Sequence, residues 1–123
     1  MNTDEHSLLT REIIRCAIKV SNRLGAGFLE KVYENSLLIE LRRCSLSVLQ
    51  QHNLKVRYEG MIVGEYTADL IVNGLVLIEM KAAKAIEPIN EAQLLNYLRI
   101  SGLRIGLILN FGTPRLGIKR LIL

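Results

Sequence analysis

The sequence predicts a mixed α/β fold, a central mixed β-sheet flanked by helices, and three features predict it. Two segments with helical apolar spacing fill the first third of the chain, ahead of any strand pattern. The stretch "ADLIVNGLVLIEMK", residues 68–81, reads as a hairpin that is apolar on both faces, which fits a sheet covered from both sides. A third helical segment then separates this hairpin from two more apolar strands, as a crossover would.

The first helix is expected from about Ser7 to Arg23. Leu9, Ile13, Ala17, Val20 and Leu24 fall at helical spacing, and Arg11, Arg15, Lys19 and Arg23 form a basic outer stripe. Gly25-Ala26-Gly27 breaks the chain; no strand precedes it, so it is a helix–helix break and not a phosphate loop. A second helix is expected from about Leu29 to Arg43. "LSVLQQHNLKVRYEG" is strand-like, with Leu54, Val56 and Tyr58 alternating against Lys55, Arg57 and Glu59. "MIVGEYTADLIV" and "LVLIEMKA" complete the meander. In "EPINEAQLLNYLRIS", Pro88 suits a first helical turn and Gly102 the C-terminal stop. "LRIGLILNFG" and "GIKRLIL" are the last two strands, giving the order α-α-β-β-β-α-β-β.

At 123 residues, the chain is read as one domain, residues 1–123. Half of the residues are hydrophobic, which excludes a disordered or fibrous class. The net charge of +4 tilts the expectation mildly toward polyanionic partners. No apolar run reaches the roughly 20 residues that span a bilayer, and the N-terminal segment lacks a signal-peptide pattern. A cytoplasmic protein with no membrane partner is therefore expected. Cys16 and Cys44 are read as reduced thiols, with a disulfide as the alternative.

Asp69, Glu79 and Lys81 are the anomaly of the hairpin. Glu79 and Lys81 are two apart and share a strand face. Asp69 joins them only if the turn has the right length. A two-residue turn at Asn73-Gly74 points Asp69 away, whereas a three-residue loop, Val72-Asn73-Gly74, brings it to the same face. The sequence permits both. If the three converge, two carboxylates call for a hard oxygen-seeking cation such as Mg²⁺, the Met80 carbonyl could add a ligand, and Lys81 would stand beside a phosphate. Without convergence they are charged strand ends.

Gly27-x-x-Glu30-x-x-Tyr33, Tyr58-x-Gly60, Ala68-Asp69, Glu79-x-Lys81, Gln93-x-x-x-Tyr97 and Asn110-Phe111-Gly112 together resemble the GxxExxY family, grouped with the PD-(D/E)XK nuclease-like superfamily. The resemblance spans residues 8 to 121. It implies a restriction-endonuclease-like α-β-β-β-α-β core with an extra N-terminal helix. It also implies that Asp69 and Glu79 are metal ligands, Lys81 the catalytic lysine, Glu30 an acidic contribution from the N-terminal helices, and Gln93 a polar support from the later helix. Alanine replaces the proline expected before Asp69; that proline holds no metal.

The expected function is thus a nuclease hydrolysing DNA phosphodiester bonds with Mg²⁺ or Mn²⁺, with RNA as the alternative substrate. Lys55, Arg57 and Lys84, with Tyr33 and Tyr97, are the expected nucleic-acid contacts. A homodimer formed along the C-terminal "KRLIL" strand is a further expectation. The competing reading is a catalytically silent module that keeps the fold for nucleic-acid or protein binding.

Overall fold

The computed structural model describes residues 3–123. In chain order the elements are α1 (Thr3–Leu24), α2 (Glu30–Arg43), β1 (Val48–Tyr58), β2 (Met61–Val72), β3 (Val76–Lys81), α3 (Pro88–Ser101), β4 (Ile105–Asn110) and β5 (Gly117–Ile122). The expected order holds throughout, although α1 begins earlier than the expected Ser7. None of the described helices is long and apolar enough to cross a membrane.

The five strands form one sheet in the order β1-β2-β3-β4-β5. β3 and β4 run parallel, joined by α3, and every other pair is antiparallel. On one face, Ile13 and Ala17 of α1 and Leu37 and Leu41 of α2 pack against Leu70, Ile78, Met80 and Leu107. On the other, Leu94, Tyr97 and Leu98 of α3 cover Leu77 and Ile108. Burial on both sides explains why β3 and β4 read as continuous apolar runs. α3 is terminated as its sequence indicates. Pro88 sits in its first turn, Glu87 and Asn90 form a reciprocal cap, and Gly102 closes it at φ 77° with its N–H on the Leu98 carbonyl.

The helix break after α1 is held by Tyr33. This side chain is fully buried; its hydroxyl donates to the Gly25 carbonyl at 2.6 Å and accepts from the Phe28 N–H at 3.1 Å. Its ring stacks on Phe111 with centroids 4.9 Å apart. No part of Tyr33 is left to touch a nucleic acid, so the expected contact is corrected to a core anchor.

The β2–β3 turn follows neither of the two geometries weighed from the sequence. Val72 pairs with Val76, so the loop is Asn73-Gly74-Leu75. Asn73 and Gly74 both take left-handed φ, 53° and 64°, and Leu75 N–H donates to the Val72 carbonyl. Asn73 is fixed there because it also exchanges hydrogen bonds with the Ser47 backbone. This loop shifts the register by two residues from the three-residue alternative. The parity is therefore the one that puts Asp69 and Glu79 together, and it sets them opposite each other instead of diagonally.

Strand alternation in β1 fails at one residue. Gln50 and Gln51 are consecutive, yet both side-chain amides donate to Glu34 on α2. Adjacent strand residues ordinarily point to opposite faces. A left-handed φ of 53° at Gln51 reverses the second one, at a cost on the order of 1 kcal/mol for a non-glycine residue. Beyond this point Leu54 packs toward α3, whereas Val48 before it packs toward α1 and α2. The remainder of β1 and β2 extends as a largely exposed arm, closed by a tight turn at Glu59-Gly60 and leaning on α3 through Tyr66 and Tyr97.

Candidate active site

β2 and β3 part company at Asp69. The ladder between them runs Val72↔Val76, Ile71↔Leu77 and Leu70↔Ile78, and then side chains take over. Glu79 Oε1 accepts from the Asp69 N–H at 3.2 Å, and Asp69 Oδ2 accepts from the Met80 N–H at 2.8 Å. Two carboxylates thus replace the backbone partners that the diverging strands lose. In a strand, the N–H and C=O of one residue face the same edge, so the Met80 carbonyl also opens toward Asp69.

Burial defines the electrostatics. Glu79 is 9 % exposed. Its pKa is pushed up to about 8, first by burial and then by the Asp69 charge, with the Asp69 N–H and Lys81 pulling the other way. Burial also raises Asp69 above the ordinary carboxylate range, against the hydrogen bond from Met80. Glu30, the first residue of α2, is exposed as a residue. Partial burial of its carboxyl end and the Asp69 charge nevertheless raise it, and Lys81 opposes them.

Lys81 ends β3 opposite Asn110 of β4, and its carbonyl accepts from the Phe111 N–H at 2.8 Å. Asn110 secures this corner. Its side-chain oxygen accepts from the Ala83 and Gly112 N–H groups, and its amide donates to the Ala83 carbonyl. Gly112 passes so close to the Ala83 backbone that no β-carbon fits there. The Asn110-Phe111-Gly112 stretch is therefore explained by the clamp it makes on the segment following Lys81.

The structure brings Glu30, Asp69, Glu79 and Lys81 into one electrostatic neighbourhood. Asp69 and Glu79 form a contact pair, and Glu30 stands outside it. Among the described residues, the group of three His, Cys, Asp or Glu side chains close enough to share one cation lies elsewhere, at Glu12, Cys16 and Cys44. Gln93 does not reach Lys81; its amide donates to the Tyr97 hydroxyl at 2.7 Å. Tyr97 lies on the buried face of α3 beside Leu94 and Leu98. Burial raises its hydroxyl above the ordinary tyrosine range, with the Glu79 and Asp69 charges adding to the effect. Gln93 and Tyr97 also line a groove of about 500 Å³ between α3 and the arm, with Val56, Tyr66 and Asn96.

The expected basic contacts are scattered. Lys55 and Arg57 lie on the arm, where Lys55 is 3.7 Å from Glu65. Lys84 is exposed in the segment between β3 and α3. None of the three touches the carboxylate pair. On α1, Arg15 and Lys19 are engaged by Glu12 and Glu40.

Sequence reasoning missed Glu34, Gln50 and Gln51. Glu34 is 2 % exposed and accepts hydrogen bonds from Lys31, Gln50 and Gln51. Gln51 also donates to Asp69 Oδ1 at 3.2 Å, so one amide ties the buried glutamate to the site aspartate. A signal was present: Glu34 occupies a position on the apolar face of α2, in line with Leu37, Leu38 and Leu41. A polar residue at an interior position needs partners, and the doublet Gln50-Gln51 supplies them.

A family model described as the PD-(D/E)XK nuclease superfamily matches residues 7–121 of the chain. No curated protein and no solved structure gave a match.

Proposed function

Because the chain belongs to the PD-(D/E)XK nuclease superfamily, we propose that it is a divalent-cation-dependent nuclease acting on DNA phosphodiester bonds at the Asp69–Glu79–Lys81 corner. The observation that supports this reading best is the carboxylate pair itself: two acidic side chains, one nearly buried, held side by side, with Lys81 acting on Glu79 and Lys31 on Asp69 through their charge and not through an ion-pair contact.

The donor set fits a hard metal ion. Asp69, Glu79 and the Met80 carbonyl offer oxygen atoms only, which suits Mg²⁺ or Mn²⁺ and not a thiophilic metal. When bound there, such an ion would supply Lewis acidity to a phosphate oxygen and acidify a coordinated water. The chain's own residues do the rest. Lys81 places a positive charge where a phosphate gains negative charge, and its ammonium can orient the attacking water. Glu30, at the start of α2 and within electrostatic reach of Asp69 and Lys81, would accept that water's proton, since partial burial makes it a stronger base than an ordinary glutamate. Gln51 and the Met80 N–H fix both oxygens of Asp69 before substrate arrives. Gln93 holds the Tyr97 hydroxyl at the mouth of the groove, where a nucleic-acid strand could lie. Lys55, Arg57 and Lys84 would then act as outlying, salt-sensitive phosphate contacts.

The single test is calorimetry of Mg²⁺ and Mn²⁺ binding to the protein and to an Asp69→Ala/Glu79→Ala variant, followed by cleavage assays on single-stranded DNA, duplex DNA and RNA. Binding that the double substitution abolishes, together with metal-dependent cleavage of DNA, is the expected result. Cleavage of RNA alone would move the substrate assignment. A folded protein that binds neither metal, even with DNA present, would establish the silent module instead. A homodimer along β5, a sheet edge with exposed Ile118 and Ile122, belongs to this proposal as well. A monomer mass in light scattering at micromolar concentration would remove it.

A further inference from the structure

Cys16 and Cys44 take no part in the chemistry above, and the structure brings their sulfurs to 3.7 Å across 28 positions of sequence. Cys16 is buried on the inner face of α1, while Cys44 caps the C-terminal end of α2 and is half-exposed. Glu12, one turn before Cys16, completes a group whose ligand atoms all lie within 4.8 Å of one another. That trio could be taken for a metal site. However, Arg15 already binds the Glu12 carboxylate, and its guanidinium lies 3.8 Å from Cys44 Sγ. The Glu12 carboxylate that a metal would need is thus already paired with a guanidinium that also borders Cys44, so the geometry favours the chemistry of the two thiols themselves.

We infer that Cys16 and Cys44 form a thiol–disulfide exchange site whose co-substrate is a low-molecular-weight disulfide. Cys44, the sulfur that solvent reaches, attacks as thiolate on one sulfur of the small disulfide. The reagent's S–S bond breaks, a mixed disulfide forms on Cys44, and the departing thiolate takes up the proton that Cys44 lost. Cys16 then attacks Cys44 Sγ. The mixed disulfide breaks, the Cys16–Cys44 bond forms, and a second small thiol leaves with the proton from Cys16. Two protein thiols are oxidised and one small disulfide is reduced to two thiols. The sulfurs need only close from 3.7 Å to the bonded distance of about 2 Å.

The bond would tie α1 to the far end of α2, the helix that carries Glu30 and Glu34 at its other end. It restrains the unfolded chain between positions 28 apart. The inference does not depend on the nuclease reading, and its test does not use cleavage. The reduced full chain is incubated with oxidised glutathione and followed by intact mass and thermal melting. The wild type should lose two hydrogen atoms, retain no glutathione, and melt on the order of 10 °C higher. Cys16→Ser should trap one glutathione on Cys44, and Cys44→Ser should stay unmodified while folded. If serine at the buried position prevents folding, Cys16→Ala replaces it. Retention of glutathione by the wild type would overturn the proposal, as would no reaction under conditions that modify the Cys16 variant. Stoichiometric zinc binding by the reduced protein, lost on Cys16 substitution, would also overturn it and assign the trio to a metal.

Discussion

Asp69 and Glu79 each hydrogen-bond to the other's strand: Glu79 Oε1 takes the Asp69 N–H, and Asp69 Oδ2 takes the N–H of Met80, the residue after Glu79. The exchange satisfies backbone donors at the point where β2 leaves β3, so the pair has a structural task independent of any ligand. It also fixes two carboxylates near each other, Glu79 nearly buried and Asp69 half-buried. Folding alone does not require that; methyl groups and a continued ladder would close the sheet at lower electrostatic cost.

The first prediction concerns that cost. An unfolded Glu79 titrates near the ordinary glutamate value of 4.5, and burial raises the folded one to about 8. The folded state therefore holds its proton more tightly, and stability that is full below the unfolded value is lost as pH rises toward about 8. Glu79→Gln removes this loss. In metal-free buffer the variant should match the wild type near pH 4.5 and exceed it by on the order of 3 kcal/mol above pH 8. With Mg²⁺ present the order should reverse at high pH, because the wild type alone exchanges its proton for the ion. Urea titrations across this range, with and without Mg²⁺, measure both effects; a constant difference at every pH would reject them.

A second prediction follows from Gln51, whose amide serves Glu34 and Asp69 at once. Glu34→Ala takes the buried acceptor from Gln50 and Gln51, which keep only Asn35 and Asp69, and should cost about 2 kcal/mol. Gln51→Ala should cost less, since Glu34 keeps Lys31 and Gln50. The double variant should be more stable than the sum of the two losses predicts, by about 1 kcal/mol, because both single changes break the same bond. Additive melting data would show that the contact carries no coupling.

The order of elements, the β1–β2–β3 meander and the crossover helix with its Pro88 start and Gly102 stop were legible because each rests on local periodicity or a local breaker residue. The convergence of Asp69 with Glu79 was only half legible. Parity along one strand is fixed by sequence, but parity between strands depends on the loop, and here Leu75 joins the loop because Asn73 is tied to Ser47. The left-handed Gln51 was not legible at all. No breaker residue marks it, and its cost is met by Glu34, which lies seventeen positions away. Tyr33 shows the opposite failure: a motif position was given a binding role, when its hydroxyl is spent inside the fold.

Tyr33→Phe tests that reassignment. The change keeps the ring on Phe111 and deletes the hydroxyl that Gly25 and Phe28 share. Stability should fall by about 1–2 kcal/mol, with affinity for DNA unchanged at a fixed salt concentration. A fall in DNA affinity without loss of stability would return Tyr33 to the surface role.

Gly112→Ala should be far more damaging than its single methyl suggests. The new β-carbon would meet the Ala83 backbone, which has no side chain to rotate away. The clamp by Asn110 beyond Lys81 must then open, at a cost on the order of 3 kcal/mol. A contrast is Gly106→Ala, where the obstacle is the buried Leu94 side chain, which can shift more readily than backbone. Thermal melts of the two variants side by side should rank them in that order.

Under the proposed nuclease reading, substitutions of Lys81 should separate cleavage from metal binding. Its ammonium lies in the same electrostatic field as Glu79 and Glu30, where it favours the ionised form of both. Lys81→Ala removes a positive charge beside two carboxylates, so a divalent cation should bind as well as before or slightly better. Cleavage should nevertheless fall by roughly 100-fold or more, because the charge that meets the phosphate in the transition state has gone. Lys81→Arg keeps the charge on a wider, less mobile head group and should recover part of the rate. Calorimetry and single-turnover cleavage on the same preparations distinguish the alternatives. Lost metal binding in Lys81→Ala would make the lysine a structural counter-ion, and an unchanged cleavage rate would place the phosphate elsewhere on the protein.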